Sequence, residues 1–164
     1  MKRTVLVLLS AGLLVSEGIA GEPKSPSLQG VWQAVEVTIP GPLQRTITLP
    51  EPRSNLTMIT ARHFSRMQVE GEGARPAVAD VTKASADDLR AAWGPFYAEA
   101  GTYEITGNVI TLRPVVAKNP AAMTPGAFTA WSFALDGNTL RVTAAKNQNG
   151  PIANPPTITL VRVE

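Results

Sequence analysis

Apolar and polar residues alternate with period two along most of the chain from residue 28 onward, the spacing that puts one face of a strand against a core and the other in solvent. Eight strands are predicted on this basis: Leu28–Ile39, Asn55–Thr60, His63–Glu70, Thr102–Thr106, Val109–Val116, Phe128–Leu135, Thr139–Ala145 and Thr157–Val163. Tight turns separate three successive pairs, at Ala61-Arg62, Gly107-Asn108 and Asp136-Gly137-Asn138; the last two contain glycine beside asparagine, as two-residue hairpins favour. Proline-rich or long segments fill the other gaps: Pro40–Arg53, Gly71–Pro76 and beyond, the stretch before Phe128, and Gly150–Pro156. The spacing changes to that of a helix over Ser85–Trp93. Ser85 is placed to cap it, with Asp87 and Asp88 in its first turn, where carboxylates suit the helix dipole.

Strands in sequence, joined by hairpins, predict an all-β fold: an eight-stranded up-and-down antiparallel barrel with one helix between the third and fourth strands. Closure removes the exposed edges of an open sheet. The tight links all fall at one end and the long ones at the other, so the barrel has a closed end and a mouth. Alternation assigns inward positions to Leu56 and Met58, to Ser65, Met67 and Val69, to Tyr103 and Ile105, to Ile110 and Leu112, and to Thr129, Trp131, Phe133 and Leu135. The first strand is in conflict with itself. If Trp32 points inward, strict alternation turns Glu36 inward and Val35, Val37 and Ile39 outward, unless a bulge intervenes. The helical segment, with Trp93 and the following Tyr97, is expected to form a lid at the mouth.

The segment before the strands is of another kind. Met1–Arg3 is basic, Val5–Val15 is an almost unbroken apolar run, and Gly18-Ile19-Ala20 supplies small residues at both ends of a triplet. Residues 1–20 therefore read as a secretory signal peptide cleaved after Ala20, because the apolar run is shorter than the ~20 residues a membrane span needs. Residues 21–27 form a linker, and residues 28–164 form the barrel domain. A periplasmic or secreted location follows, with no membrane association after cleavage. Loss of Lys2, Arg3 and Glu17 leaves 13 basic and 12 acidic residues, interspersed rather than blocked, which excludes a nucleic-acid surface. The chain has no cysteine and a single histidine, so no disulfide, thiol nucleophile, metal centre of the usual ligand set or cofactor is expected.

The chemistry that remains is sparse. His63 sits beside the tight turn at the closed end, where a backbone-bonded histidine is the simpler reading than a catalytic one. Asp87 and Asp88 are adjacent on a helix and so do not share a face. The catalytic candidates are Glu36, if it faces the interior, with Tyr103 and His63 for proton transfer.

Gly30-Val31-Trp32 at the start of the first strand resembles the G-x-W signature of lipocalins. That resemblance implies a tryptophan plugging the closed end under an arginine of the last strand, here Arg162. A bacterial lipocalin-like branch resembles the chain over most of its length. The residues that carry it are Thr60-Ala61-Arg62-His63-Phe64-Ser65, Gly94-Pro95-Phe96, Gly101-Thr102-Tyr103, Leu112-Arg113-Pro114, Ala117-Lys118-Asn119-Pro120 and Asn147-Gln148-Asn149-Gly150. The resemblance implies a fold and no particular reaction.

Three functions fit these readings. The first is a small apolar or amphipathic molecule bound in the mouth, lined by Met58, Met67, Tyr103 and Trp131 with Trp93 and Tyr97 above. The second is an enzyme of isomerase or cyclase type on the same scaffold. The third is a structural or interaction module with a filled interior. The sequence sets neither the ligand nor the oligomeric state.

Overall fold

The computed structural model describes residues 27–42, 44–51, 54–71 and 74–164. The segments expected as a signal peptide, residues 1–20, and as a linker, residues 21–27, lie outside these up to residue 26. The described residues form ten strands: β1 (Gly30–Ile39), β2 (Arg45–Thr48), β3 (Asn55–Ile59), β4 (His63–Val69), β5 (Phe96–Thr106), β6 (Val109–Ala117), β7 (Thr129–Asp136), β8 (Thr139–Asn147), β9 (Gly150–Pro151) and β10 (Thr157–Arg162). One helix, α1 (Ala86–Trp93), lies between β4 and β5, and a short 3-10 turn (Pro120–Met123) between β6 and β7. Eight strands pair antiparallel in the order β10-β1-β3-β4-β5-β6-β7-β8, and β8 pairs back onto β10, so the barrel is closed. The fold class expected from the alternation is the one observed.

The two additional strands are short. β2 lies in the proline-rich segment and pairs with Glu36–Ile39, the half of β1 that β3 does not reach. Its Thr-Ile-Thr alternation gives it strand character even between prolines. At the changeover the Asn55 side chain acts as a substitute partner: Oδ1 accepts from the Ala34 amide at 2.6 Å and Nδ2 donates to the Ala34 carbonyl at 3.1 Å. The register of β1 against β10 shifts between Ala34 and Glu36. This bulge resolves the conflict on the first strand. Trp32 and Ala34 face inward, Val37 pairs with inward Ile158, and Glu36 pairs with Thr159 on the outer face.

The closed end is built around Trp32, which is 0% exposed. Its indole N–H donates to the Leu28 carbonyl at 2.9 Å, and the Arg162 guanidinium lies 4.1 Å above its ring. Arg162 is held there by donating to the carbonyls of Ser27, at 2.6 Å, and Gln29. Gly30 has φ +140°, and a Cβ built on it would lie 2.3 Å from Arg162 Nη1 and 2.5 Å from the Glu164 carbonyl. The G-x-W spacing is thus a packing requirement: the arginine covers the tryptophan only where no side chain stands two residues before it. Leu28, Ile59, Phe64, Ile110, Leu112, Leu140 and Leu160 complete the core.

Ser85 caps α1 as expected: its hydroxyl accepts from the Asp88 amide at 3.1 Å, and the Asp88 carboxylate accepts from the Ser85 amide at 3.0 Å. The helix ends at Gly94, whose carbonyl accepts from Lys118 Nζ at 2.8 Å. β5 begins at Phe96, six residues before the expected start. Phe96 and Tyr97 are therefore strand residues, opposite Val69 and Gln68 of β4, rather than part of a helical lid.

Candidate functional site

The tight turn between β3 and β4 fixes which residues enter the barrel. Thr60 and His63 close it, with the Thr60 amide donating to the His63 carbonyl at 2.9 Å. Ile59 then pairs with Phe64, both buried in the core, and alternation carries Thr57 and Asn55 inward on β3 and Arg66 and Gln68 inward on β4. On β5, the residues opposite Phe64, Arg66 and Gln68 are Gly101, Glu99 and Tyr97. The upper interior wall is therefore polar where the sequence alternation selected the apolar residues. Leu56 and Met58 lie on the outer face, as do Ser65 and Val69.

Arg66 reaches across the lumen. Its Nη2 donates to the Tyr97 hydroxyl at 2.8 Å and lies 3.0 Å from Glu99 Oε1. Its guanidinium sits over two aromatic rings, 4.8 Å from the centre of Tyr97 and 5.0 Å from that of Trp131. Glu99 is 8% exposed, a buried carboxylate balanced by one directly opposed cation. Burial raises the Tyr97 hydroxyl above its ordinary value of 10.0; Arg66 opposes this and Glu99 reinforces it.

This cluster divides two spaces. Below it is a cavity of about 70 Å³ with an apolar lining that includes Ala34, Ile110, Leu112, Phe133, Val142 and Ile158, together with Trp131, Arg66, Thr57 and Asn55. Above it is a recess of about 210 Å³ at the mouth, bordered by Tyr97, Glu99, Pro114, Phe128, Asn147 and Gln148. The partition across the lumen is made of strand side chains, and α1 contributes none of the residues around either space.

The expected site residues are thus dispersed. Trp131 lines the cavity, and Met67 borders it while standing 36% exposed. Tyr97 belongs to the partition. Trp93 is 53% exposed and borders a surface groove with Arg75, Pro76 and Val78, because Ala92 is the residue that α1 buries. Met58 lies outside, set there by the turn register. Tyr103 lies deep at the closed end, and its hydroxyl donates to the Thr60 carbonyl at 2.7 Å. Glu36 is on the outer face beyond the bulge, and His63 is exposed at the closed-end turn. Arg66 and Glu99, the centre of the arrangement, were not among the expected residues. Phe64 two positions earlier carried the signal, since a buried aromatic next to a tight turn fixes the phase of the strand that follows. Among the described residues no three His, Cys, Asp or Glu side chains gather as metal ligands would, and no helix is long and apolar enough to cross a membrane.

The sequence matches no family model and no curated protein. Two solved structures are similar to it. One is a lipocalin-like protein from Bacteroides uniformis, with a TM-score of 0.47, 14% identity, and coverage of 82% of this chain and 97% of that one. The other is a protein from Bacteroides eggerthii, with a TM-score of 0.45, 11% identity, and coverage of 83% and 99%. The closed eight-stranded barrel and the Trp32–Arg162 plug make the architecture of this chain lipocalin-like.

Proposed function

We propose that this chain is an exported binding protein that holds a compact apolar or amphipathic molecule inside its barrel, beneath the Arg66 partition. The observation that carries this reading is the apolar cavity of about 70 Å³, left open in a barrel whose lower half is filled. One water needs roughly 10–15 Å³ of such space, so the cavity is several waters in size, and an apolar lining holds water poorly. Ligand pockets commonly span roughly 300–1,000 Å³. The ligand is therefore small, or enters as Arg66 and Trp131 move apart. Trp131 supplies aromatic contact, and Arg66, Asn55, Thr57 and Gln68 supply the polar groups that orient a ligand. Export rests on the basic, apolar and small-residue run over residues 1–20.

The test is native mass spectrometry of the protein recovered from its own host. The expected species begins at Gly21 and carries a small molecule that is absent from a Trp131→Arg variant. A mature chain of bare mass, in wild type and variant alike, with no response to added apolar compounds, would leave the filled structural module as the better reading. Glu99 and Tyr97, a carboxylate and a phenol hydroxyl that both meet Arg66, are where an enzymatic reading is placed. Turnover that disappears in Glu99→Gln would favour it.

A further inference from the structure

Buried N–H groups in folded proteins are almost always bonded, and those that are not call for a specific explanation. Among the described residues two buried side-chain polar atoms lack a partner: Arg66 Nε and Trp131 Nε1. They belong to two side chains stacked on each other, the guanidinium 5.0 Å from the indole ring, and both side chains line the same apolar cavity. Both atoms are donors. Each would be satisfied by an acceptor.

The charge already present decides what kind. Arg66 is balanced by Glu99, 3.0 Å from its Nη2 and almost fully buried. A carboxylate brought to Nε would stand within a few ångströms of a second carboxylate, in surroundings where repulsion is weakly screened. A neutral oxygen meets no such opposition. Resting on the proposed binding function, we infer that the polar end of the ligand is a neutral acceptor oxygen, a ketone, aldehyde or ester carbonyl, received by Arg66 Nε–H and Trp131 Nε1–H, and that Glu99 selects against carboxylates. The carbonyl oxygen has two lone pairs for the two donors, and the carbon skeleton lies among Ile110, Phe133, Val142 and Ile158. Glu99 then does two things: it pairs with the guanidinium from the neighbouring strand and sets the charge of what may be bound.

Three probes of matched size separate the possibilities: cyclohexanone, methylcyclohexane and cyclohexanecarboxylate, titrated into wild type, Trp131→Phe and Arg66→Lys by calorimetry. Trp131→Phe keeps an aromatic ring without its N–H, and Arg66→Lys keeps a cation opposite Glu99 without the Nε–H. Cyclohexanone is expected to bind about tenfold more tightly than methylcyclohexane, as the net gain of about one hydrogen bond provides, and the carboxylate most weakly. Each variant should lose most of that preference, and an unchanged far-ultraviolet circular dichroism spectrum with a cooperative melt reports that its barrel is intact. Equal binding of ketone and hydrocarbon would overturn the carbonyl inference and leave the binding function standing. Tightest binding of the carboxylate would overturn it equally. Failure of all three probes to bind would remove the binding function and the inference together.

Discussion

Arg66 and Glu99 face each other in the β4–β5 register, and neither has another charged partner inside the barrel among the described residues. Removing one partner of such a pair leaves a buried charge unbalanced, at a cost of about 3–5 kcal/mol. Arg66 keeps 21% of its side chain accessible, so Arg66→Ala should lie near the lower end, about 3 kcal/mol in urea denaturation. The double variant Arg66→Met, Glu99→Gln should recover part of that loss, because neither charge then remains. The two tyrosines give a pH test. Burial raises both Tyr97 and Tyr103 above 10.0. Each folded-state value lies above the unfolded one, so their contribution to stability is whole below about pH 10 and is lost as pH rises through the folded values. Phenolate absorbance should therefore show both groups of the folded protein titrating later than those of the unfolded chain. Tyr97→Phe should remove part of the alkaline loss of stability and leave the part due to Tyr103. Of the partition, Trp131 was legible as an inward position and Tyr97 as a lid residue, but hydrophobicity missed the polar wall: Asn55, Thr57, Arg66, Gln68 and Glu99 point in while Leu56, Met58 and Val69 point out. The rule that apolar residues face inward inverts at the site, where a polar wall serves function rather than stability.

At the scale of elements the sequence was more informative. Seven of the eight barrel strands lie close to their expected positions, and the three tight turns set the closed end. β5 is the exception, beginning six residues before the expected Thr102. Pro95 precedes the strand, and Gly101 permits a close approach in which a Cβ would fall 2.0 Å from the Arg113 carbonyl. The resemblance carried by Gly30, Trp32 and Arg162 was correct because all three meet in one contact. Gly30→Ala should cost about 1–3 kcal/mol, from its positive φ and the displacement of Arg162, and should make the Trp32 environment more polar in near-ultraviolet circular dichroism. The helix was expected as a lid, but Trp93 is exposed, the N-terminus is capped locally by Ser85, and the C-terminus is tied to the barrel by Lys118. Ser85→Ala should accelerate amide exchange within α1, from the loss of a cap of about 1 kcal/mol, while exchange in β5–β8 stays unchanged.

The whole molecule combines a plugged base, a filled lower core, a small apolar cavity and a polar partition beneath an open recess. Each layer follows from the one below: the tight turns set the phase of β4, and the phase brings Arg66 over the cavity. The most direct test of the central claim, that the cavity is a binding site, is methyl and indole NMR during titration with cyclohexanone. The account predicts saturable shifts at the Trp131 indole N–H and the methyl groups of Ile110, Leu112, Val142 and Ile158, with Leu56, Met58 and the Trp93 indole unmoved. Shifts confined to Trp93 and the outer face, or no saturable shift of the interior groups, would contradict it.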